Sequence, residues 1–219
     1  MDERESYWHG NLERSSYTKE SLAALDALSN AAKGGKWDNV IAALKVEPSF
    51  LTPNRWRVGG RSWYTPLHQA AWHNAPGHAV DALLEGGAWR TLRTAQGETA
   101  RDIASRRGYH DLAERLEPQP STRVDPRVLA RLDAHLESLV NSRIRPQLDV
   151  LLRYPSTSVL TEIGDLELWF PVPGMYGGFS IRLMRSYLFV RSWCRVVGGS
   201  GQAHVVTAEG STLVEEGFV

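Results

Sequence analysis

Cysteine is almost missing from this chain: one thiol, Cys194, in 219 residues. A lone cysteine excludes an intramolecular disulfide and a cysteine-based zinc knuckle, and it fits a reducing, cytoplasmic setting. An excess of either charge is missing too, with 25 basic and 25 acidic residues and no large imbalance between the first 124 residues and the remainder. No long-range pull towards nucleic acid or an acidic membrane is therefore indicated. Lysine is scarce, 4 against 21 arginines, which points to a GC-rich coding genome rather than to chemistry. No apolar run approaches the ~18 residues of a membrane span, and MDERESYWHGNLERSS is polar where a secretory signal needs an apolar core. The seven histidines form no HExxH, and His135 and Glu137 lack the i, i+4 spacing of a helical metal site, so neither metal nor cofactor is expected.

What is present is an internal repeat. YTPLHQAAWHNAPGHAVDALLEGGA (64–88) is followed by GETARDIASRRGYHDLAERLEP (97–118), with Thr65 and Thr99 34 residues apart. Thr65 is suited to cap a helix that Pro66 opens, because proline's missing N–H costs nothing in a first turn. Leu67, Ala70 and Ala71 share one face of that helix, and Pro76 ends it. Val80, Leu83 and Leu84 stripe a second helix, and Gly86-Gly87 stand where its C-cap needs a left-handed residue. Neither helix buries its stripe alone, so such pairs must stack, and about three are normally needed. ALSNAAKGGKWDNVIAALK supplies a weaker first pair, aligning Leu28, Ala31 and Ala32 with Leu67, Ala70 and Ala71. SYTKESLAALDA is placed to extend its helix as a lid. Arg101, Arg106, Arg107, Glu114 and Arg115 make the third pair more polar, as expected of a terminal cap.

The sequences TPLHQAA (65–71), LLEGGA (83–88) and GETARDIA (97–104) with Gly108 resemble the ankyrin repeat, over about residues 21–118 only. The resemblance implies an all-α stack of about three capped repeats that binds a protein partner through its fingers and the exposed side of its first helices. It also implies a structural role for His68, tying the helix start to the adjacent loop. The fingers would be LTPNRWRVGGRSWY, read as an extended hairpin carrying Trp56, Arg57, Arg61 and Trp63, and AWRTLRTAQ with Trp89, Arg90 and Arg93. Indole and guanidinium groups together suit acidic or aromatic partners. Gln69, Trp72 and His73, with Arg101 and Ser105, would share the surface.

Residues 1–20 read as a tail or the start of a capping helix, and 119–125 as a linker. In 126–219 Asp125 caps and Pro126 opens a helix striped by Leu129, Leu132, Leu136, Leu139 and Val140. Pro146 should kink or end it, with QLDVLLRY a second helical segment or a short extension that Pro155 stops. The period then changes to that of strands in DLELWFPV, GFSIRL, YLFVRSWCRVV, QAHVVTA and STLVEEGFV, a four- or five-stranded antiparallel meander. Leu166, Leu168, Phe170, Val172, Phe179, Ile181, Leu183, Leu188, Val190, Cys194 and Val196 face one way, to be covered by the helix. Glu167, Arg182, Arg191, Trp193 and Arg195 face the other, so the whole reads as a two-module α+β chain. WFPVPGMYGGFS (169–180) lies between two strands and precedes no helix, so it is a turn rather than a phosphate cradle, lifting Met175-Tyr176 to its tip.

Three functions compete. The first is an interaction scaffold, with a regulator or immunity-type factor as the expected kinds, contacting its partner through the groove, the fingers and Tyr176. The second is a small enzyme or ligand binder using Arg182, Arg191, Trp193, Arg195 and His204 on the sheet. A Cys194–His204 nucleophile pair belongs to it only if the hairpin loop has five residues, since a four-residue GGSG loop sends the two to opposite faces. Scattered carboxylates (Glu162, Asp165, Glu167, Glu209, Glu215, Glu216) single out no acid–base pair. The third, nucleic-acid binding through RWRVGGRSW and WRTLR, is disfavoured by the neutral charge.

Overall fold

The structure is a computed structural model that describes residues 6–46, 50–144, 148–164, 167–195 and 199–217. Expectations resting on Pro146, Asp165, Leu166, Val196 and Gly198 fall outside those residues. The chain is α+β, with an N-terminal helical part and a C-terminal sheet, and it divides into two compact units. One is Leu12–Gln119; the other joins the described residues of Met1–Asn11 to those of Pro120–Val219.

The helical unit holds three helix–turn–helix pairs: α1 (Lys19–Lys33) with α2 (Trp37–Leu44), α3 (Pro66–His73) with α4 (Gly77–Glu85), and α5 (Ala100–Arg106) with α6 (His110–Arg115). The first helices pack in the row α1, α3, α5, and α2 packs on α4 behind them. Small residues permit this closeness: Ala32, Ala70, Ala71, Ala100 and Ala104 are at most 1% exposed, beside Leu28, Val40, Leu67, Leu83, Ile103 and Leu116. The expected lid is simply the first half of α1, capped by Thr18, whose hydroxyl accepts from the Ser21 N–H at 3.2 Å. Arg101, Arg106, Arg107, Glu114 and Arg115 are all exposed, which suits a solvent-facing last pair.

The start signals repeat with the 34-residue period. Thr99 caps α5 and Asp102 accepts from the Thr99 backbone N–H at 2.9 Å, a reciprocal box. At α3 the Asp102 position is taken by His68, whose Nδ1 accepts the Thr65 N–H at 3.1 Å and lies 2.8 Å from its hydroxyl. A backbone N–H only donates, so Nδ1 is unprotonated and Nε2–H donates to the Leu92 carbonyl at 3.0 Å. His68 is 1% exposed: it joins a helix start to the next connection, a structural duty.

In the second unit a six-stranded sheet runs in the order β1 (Ser6–Tyr7), β2 (Leu168–Val172), β3 (Gly177–Met184), β4 (Tyr187–Cys194), β5 (Ser200–Val206), β6 (Ser211–Gly217). β2 to β6 form the antiparallel meander, but β1 joins it parallel, pairing Ser6 with Leu168 and Tyr7 with Trp169. Ser6 and Tyr7 are therefore sheet rather than tail, while Thr18 to Glu20 open α1. Trp8 is 1% exposed, its indole N–H donates to the Arg153 carbonyl at 2.7 Å, and its backbone N–H donates to Trp169 at 2.8 Å. Gly10 is required there, since a Cβ would sit 2.3 Å from the Arg153 carbonyl oxygen. The supposed linker also belongs to this unit: Ser121 donates through backbone and hydroxyl to the Thr161 carbonyl.

One long helix, α7 (Pro126–Ile144), buries Leu132, Leu136, Leu139, Val140 and Ile144. Leu168, Phe170, Val172, Phe179, Ile181, Leu183, Leu188, Val190 and Cys194 form the buried face of the sheet, and α7 meets it at β5 and β6. The second helix is not QLDVLLRY but α8 (Thr157–Ile163). Residues 152–153 are committed elsewhere, Leu152 bridging to Asn11 and the Arg153 N–H donating to Gly10, so they cannot close helical bonds. Pro155 precedes α8 rather than stopping a helix, and Thr157 anchors α8 on α7 through Asp133 and the Leu129 carbonyl.

Candidate functional site

The connection from Leu51 to Tyr64 is not a hairpin: among the described residues it contains turns and no strand. Its apolar residues explain this, because Trp56 and Val58 are 4% and 3% exposed and anchor the loop inward. Trp56 is thus packing, and Trp63 is half-buried with a left-handed backbone, φ 56°. Asn54 clamps this loop to the next one, donating to the Gly87 carbonyl at 2.8 Å and accepting the Trp89 N–H at 2.8 Å. Ala95 N–H reaches the Ser62 carbonyl at 3.0 Å, so the two fingers are tied together. Trp89 and Arg90 are half-buried. Arg57 bonds Asn30 and pairs with Asp26 at 3.6 Å, while Arg61 is exposed and Arg93 donates to the Gly97 carbonyl at 2.6 Å.

On the row of first helices Gln69 is half-buried, and Trp72, His73, Arg101 and Ser105 are exposed. Trp72, 38% exposed, has the Arg107 guanidinium 4.2 Å from its ring centre and that of Arg106 at 6.0 Å. Arg106 is held by Glu98 through two hydrogen bonds of 2.8 and 3.2 Å. That contact raises the Arg106 pKa above its ordinary value. Tyr64 lies beside the same pair, its hydroxyl pKa raised by burial and by the Glu98 charge. His73 Nε2 lies 2.9 Å from the Lys33 carbonyl of α1, which fixes the edge of the surface. Sequence reasoning placed Trp72 here but left Arg107 as cap decoration. The period held the signal: 34 residues beyond Trp72 and His73 are Arg106 and Arg107, the equivalent positions of the neighbouring pair.

The second candidate set does not converge. Glu167 gathers the outer sheet face, pairing with Arg191 at 2.8 Å and Arg182 at 3.0 Å and accepting from the Ser180 hydroxyl. Burial works to raise the Glu167 pKa, yet that hydrogen bond and the Arg191 and Arg182 charges hold it below its usual range. Trp193 leans on Trp169, ring centres 5.7 Å apart, with the Arg191 guanidinium 5.6 Å from its ring. Arg195 is exposed. His204 lies on the opposite face, because Arg191 pairs with Ala203 and not with His204. It is 9% exposed, on the side covered by α7.

The hairpin register also removes the nucleophile pair. Cys194 pairs with Ser200 and His204 with Val190, a register different from either expected alternative. The two share a face but stand four residues apart along the ladder, roughly 13 Å at strand rise. Around His204, burial first and then the Arg143 charge lower its pKa, opposed by Glu216. Arg143 reaches from α7 to the hydroxyls of Ser192 and Ser200 at 3.1 and 3.0 Å. With a folded pKa below its unfolded value near 6.5, His204 binds its proton more readily in the unfolded chain. Its stabilisation is intact above that value and is lost as pH falls through the window beneath it. Melting His204→Gln beside the parent at pH 7.5 and 5 should therefore show a smaller acid-induced loss in the variant.

The turn 173–176 separates the two residues expected at its tip. Met175 is 1% exposed and its carbonyl accepts the Arg195 N–H at 3.0 Å, whereas Tyr176 is 76% exposed with φ 49°. Gly177 admits the close approach that seats this turn, since a Cβ would fall 2.0 Å from the Trp193 carbonyl oxygen. A hollow of about 450 Å³ opens between the turns of the first two helix pairs, lined by Lys36, Trp37, Asp38 and His78 among others. Among the described residues no group of three or more His, Cys, Asp or Glu is placed to hold a metal, and no helix is long and apolar enough to cross a membrane. A scan against protein-family models and a search of curated proteins return no match for this chain.

Proposed function

We propose that this chain is an ankyrin-type interaction scaffold that holds a protein partner against the row α1, α3, α5 and the two tied fingers. The observation that carries the reading is Trp72, a large aromatic left 38% exposed on a helix whose other face is fully packed. Large aromatics and arginines dominate binding energy at interfaces, and here both are stacked on a rigid support. The 34-residue period of the start signals and the His68 tie to Leu92 support the repeat assignment. Arg61, Gln69, His73 and Arg93 would complete this surface, whereas Arg101, paired with Glu117, and Ser105 stand 34 residues beyond the buried Leu67 and Ala71. Because Trp72 lies outside the buried core of the helix pairs, Trp72→Ala should stay folded yet lose most partner capture from native-cell extract. Capture equal to the parent's would reject this surface.

A further inference from the structure

We propose that the groove selects an acidic segment, with an aspartate or glutamate of the partner docking on Arg107 where it stacks over Trp72. The inference rests on the reading of this surface as protein-binding and adds the chemistry of what it binds. Glu98, the carboxylate beside this stack, is already engaged by Arg106. Arg107 has no ion-pair partner among the described residues; its one side-chain hydrogen bond is a 3.3 Å donation to the Tyr109 hydroxyl. Its guanidinium lies 4.2 Å from the Trp72 ring centre and 5.5 Å from that of Tyr109.

A guanidinium held against aromatic faces keeps its N–H donors directed outward in its own plane, the fork geometry that a carboxylate matches with two bonds. The rings fix a long, flexible side chain in advance, so less freedom is lost when the anion arrives. The exposed remainder of the Trp72 indole lies alongside and suits an apolar residue next to the acid. A basic segment would meet Arg107 uncompensated, and like-charge juxtaposition is the stronger discriminator.

The test pans a phage-displayed library of random 12-residue peptides on the immobilised full chain, on Trp72→Ala and on Arg107→Glu, each checked to be folded. Arg107 is exposed, so charge reversal there should leave the fold intact. The expected result is enrichment of Asp or Glu beside an apolar residue, with those peptides binding Arg107→Glu about tenfold or more weakly, the size of a lost charge-assisted bond. Arg107→Lys, which keeps charge but not the fork, should fall between. Peptides that require Trp72 but show no acidic excess, or that ignore Arg107→Glu, would overturn the acidic selection and leave the groove standing. A library with no Trp72-dependent binder would overturn both.

Discussion

Trp8→Ala should destabilise the sheet unit by about 3–5 kcal/mol, the range for emptying a buried tryptophan site. The indole is 1% exposed, its N–H satisfies the Arg153 carbonyl at 2.7 Å, and the Arg153 guanidinium lies 5.2 Å from its ring centre. Arg153 is itself 6% exposed, and burial lowers its pKa to about 9, so it remains charged at neutral pH. Removing the ring opens a void, orphans a carbonyl and strips a buried cation of its aromatic face. Tyr7→Ala, at a residue 40% exposed, should cost under about 1 kcal/mol. Hydrogen exchange followed by mass spectrometry separates the units. Peptides covering β2 and β3 should lose protection in Trp8→Ala while α3 and α5 keep theirs. Unchanged protection of β2 would mean that the N-terminal segment does not hold this sheet.

His68→Ala should cost the helical unit about 3 kcal/mol, from a cavity and from donors and acceptors left unpaired in the interior. Three contacts disappear together: the Thr65 N–H and hydroxyl lose Nδ1, and the Leu92 carbonyl loses Nε2. Leu92 belongs to the second finger and is 1% exposed, so the loss should loosen that finger as well as the start of α3. Asp102→Ala breaks the equivalent box in the last pair, where Asp102 is half-buried, and should cost only about 1 kcal/mol. Denaturant titration of the two variants against the parent measures the difference. Equal, small losses would show that the link from His68 to the finger contributes nothing.

Helix starts were the most legible part of the chain because they are local: Thr65-Pro66 and Thr99 announce themselves within four residues. The in-and-out pattern of β2 to β4 was legible for the same reason, a strict two-residue period. Pairings across long separations were not. Nothing in SYW says that it lies parallel to Leu168 and Trp169, and the contacts of Trp8, Gly10 and Asn11 with residues 152–153 hold as extended chain what was expected to be helix. His204 was placed on the wrong face because a hairpin register depends on where the turn pivots, and one residue of shift reverses every side chain beyond it. Trp56 was misplaced for a different reason: composition does not tell whether an aromatic in a loop points in or out. Trp72 was legible as a surface residue, whereas its stacking by Arg107 required the repeat period to be laid across two helix pairs.

The proposed partner segment lies across the first helices. The most direct test of this placement puts a photoreactive phenylalanine analogue at Gln69 on α3, and separately at Glu85 on the helix behind it, in the full chain within its native cells. Irradiation should give a discrete protein adduct from position 69 that is lost on adding Trp72→Ala, and none from position 85. An adduct from 85 but not from 69, or one from 69 indifferent to Trp72, would contradict it.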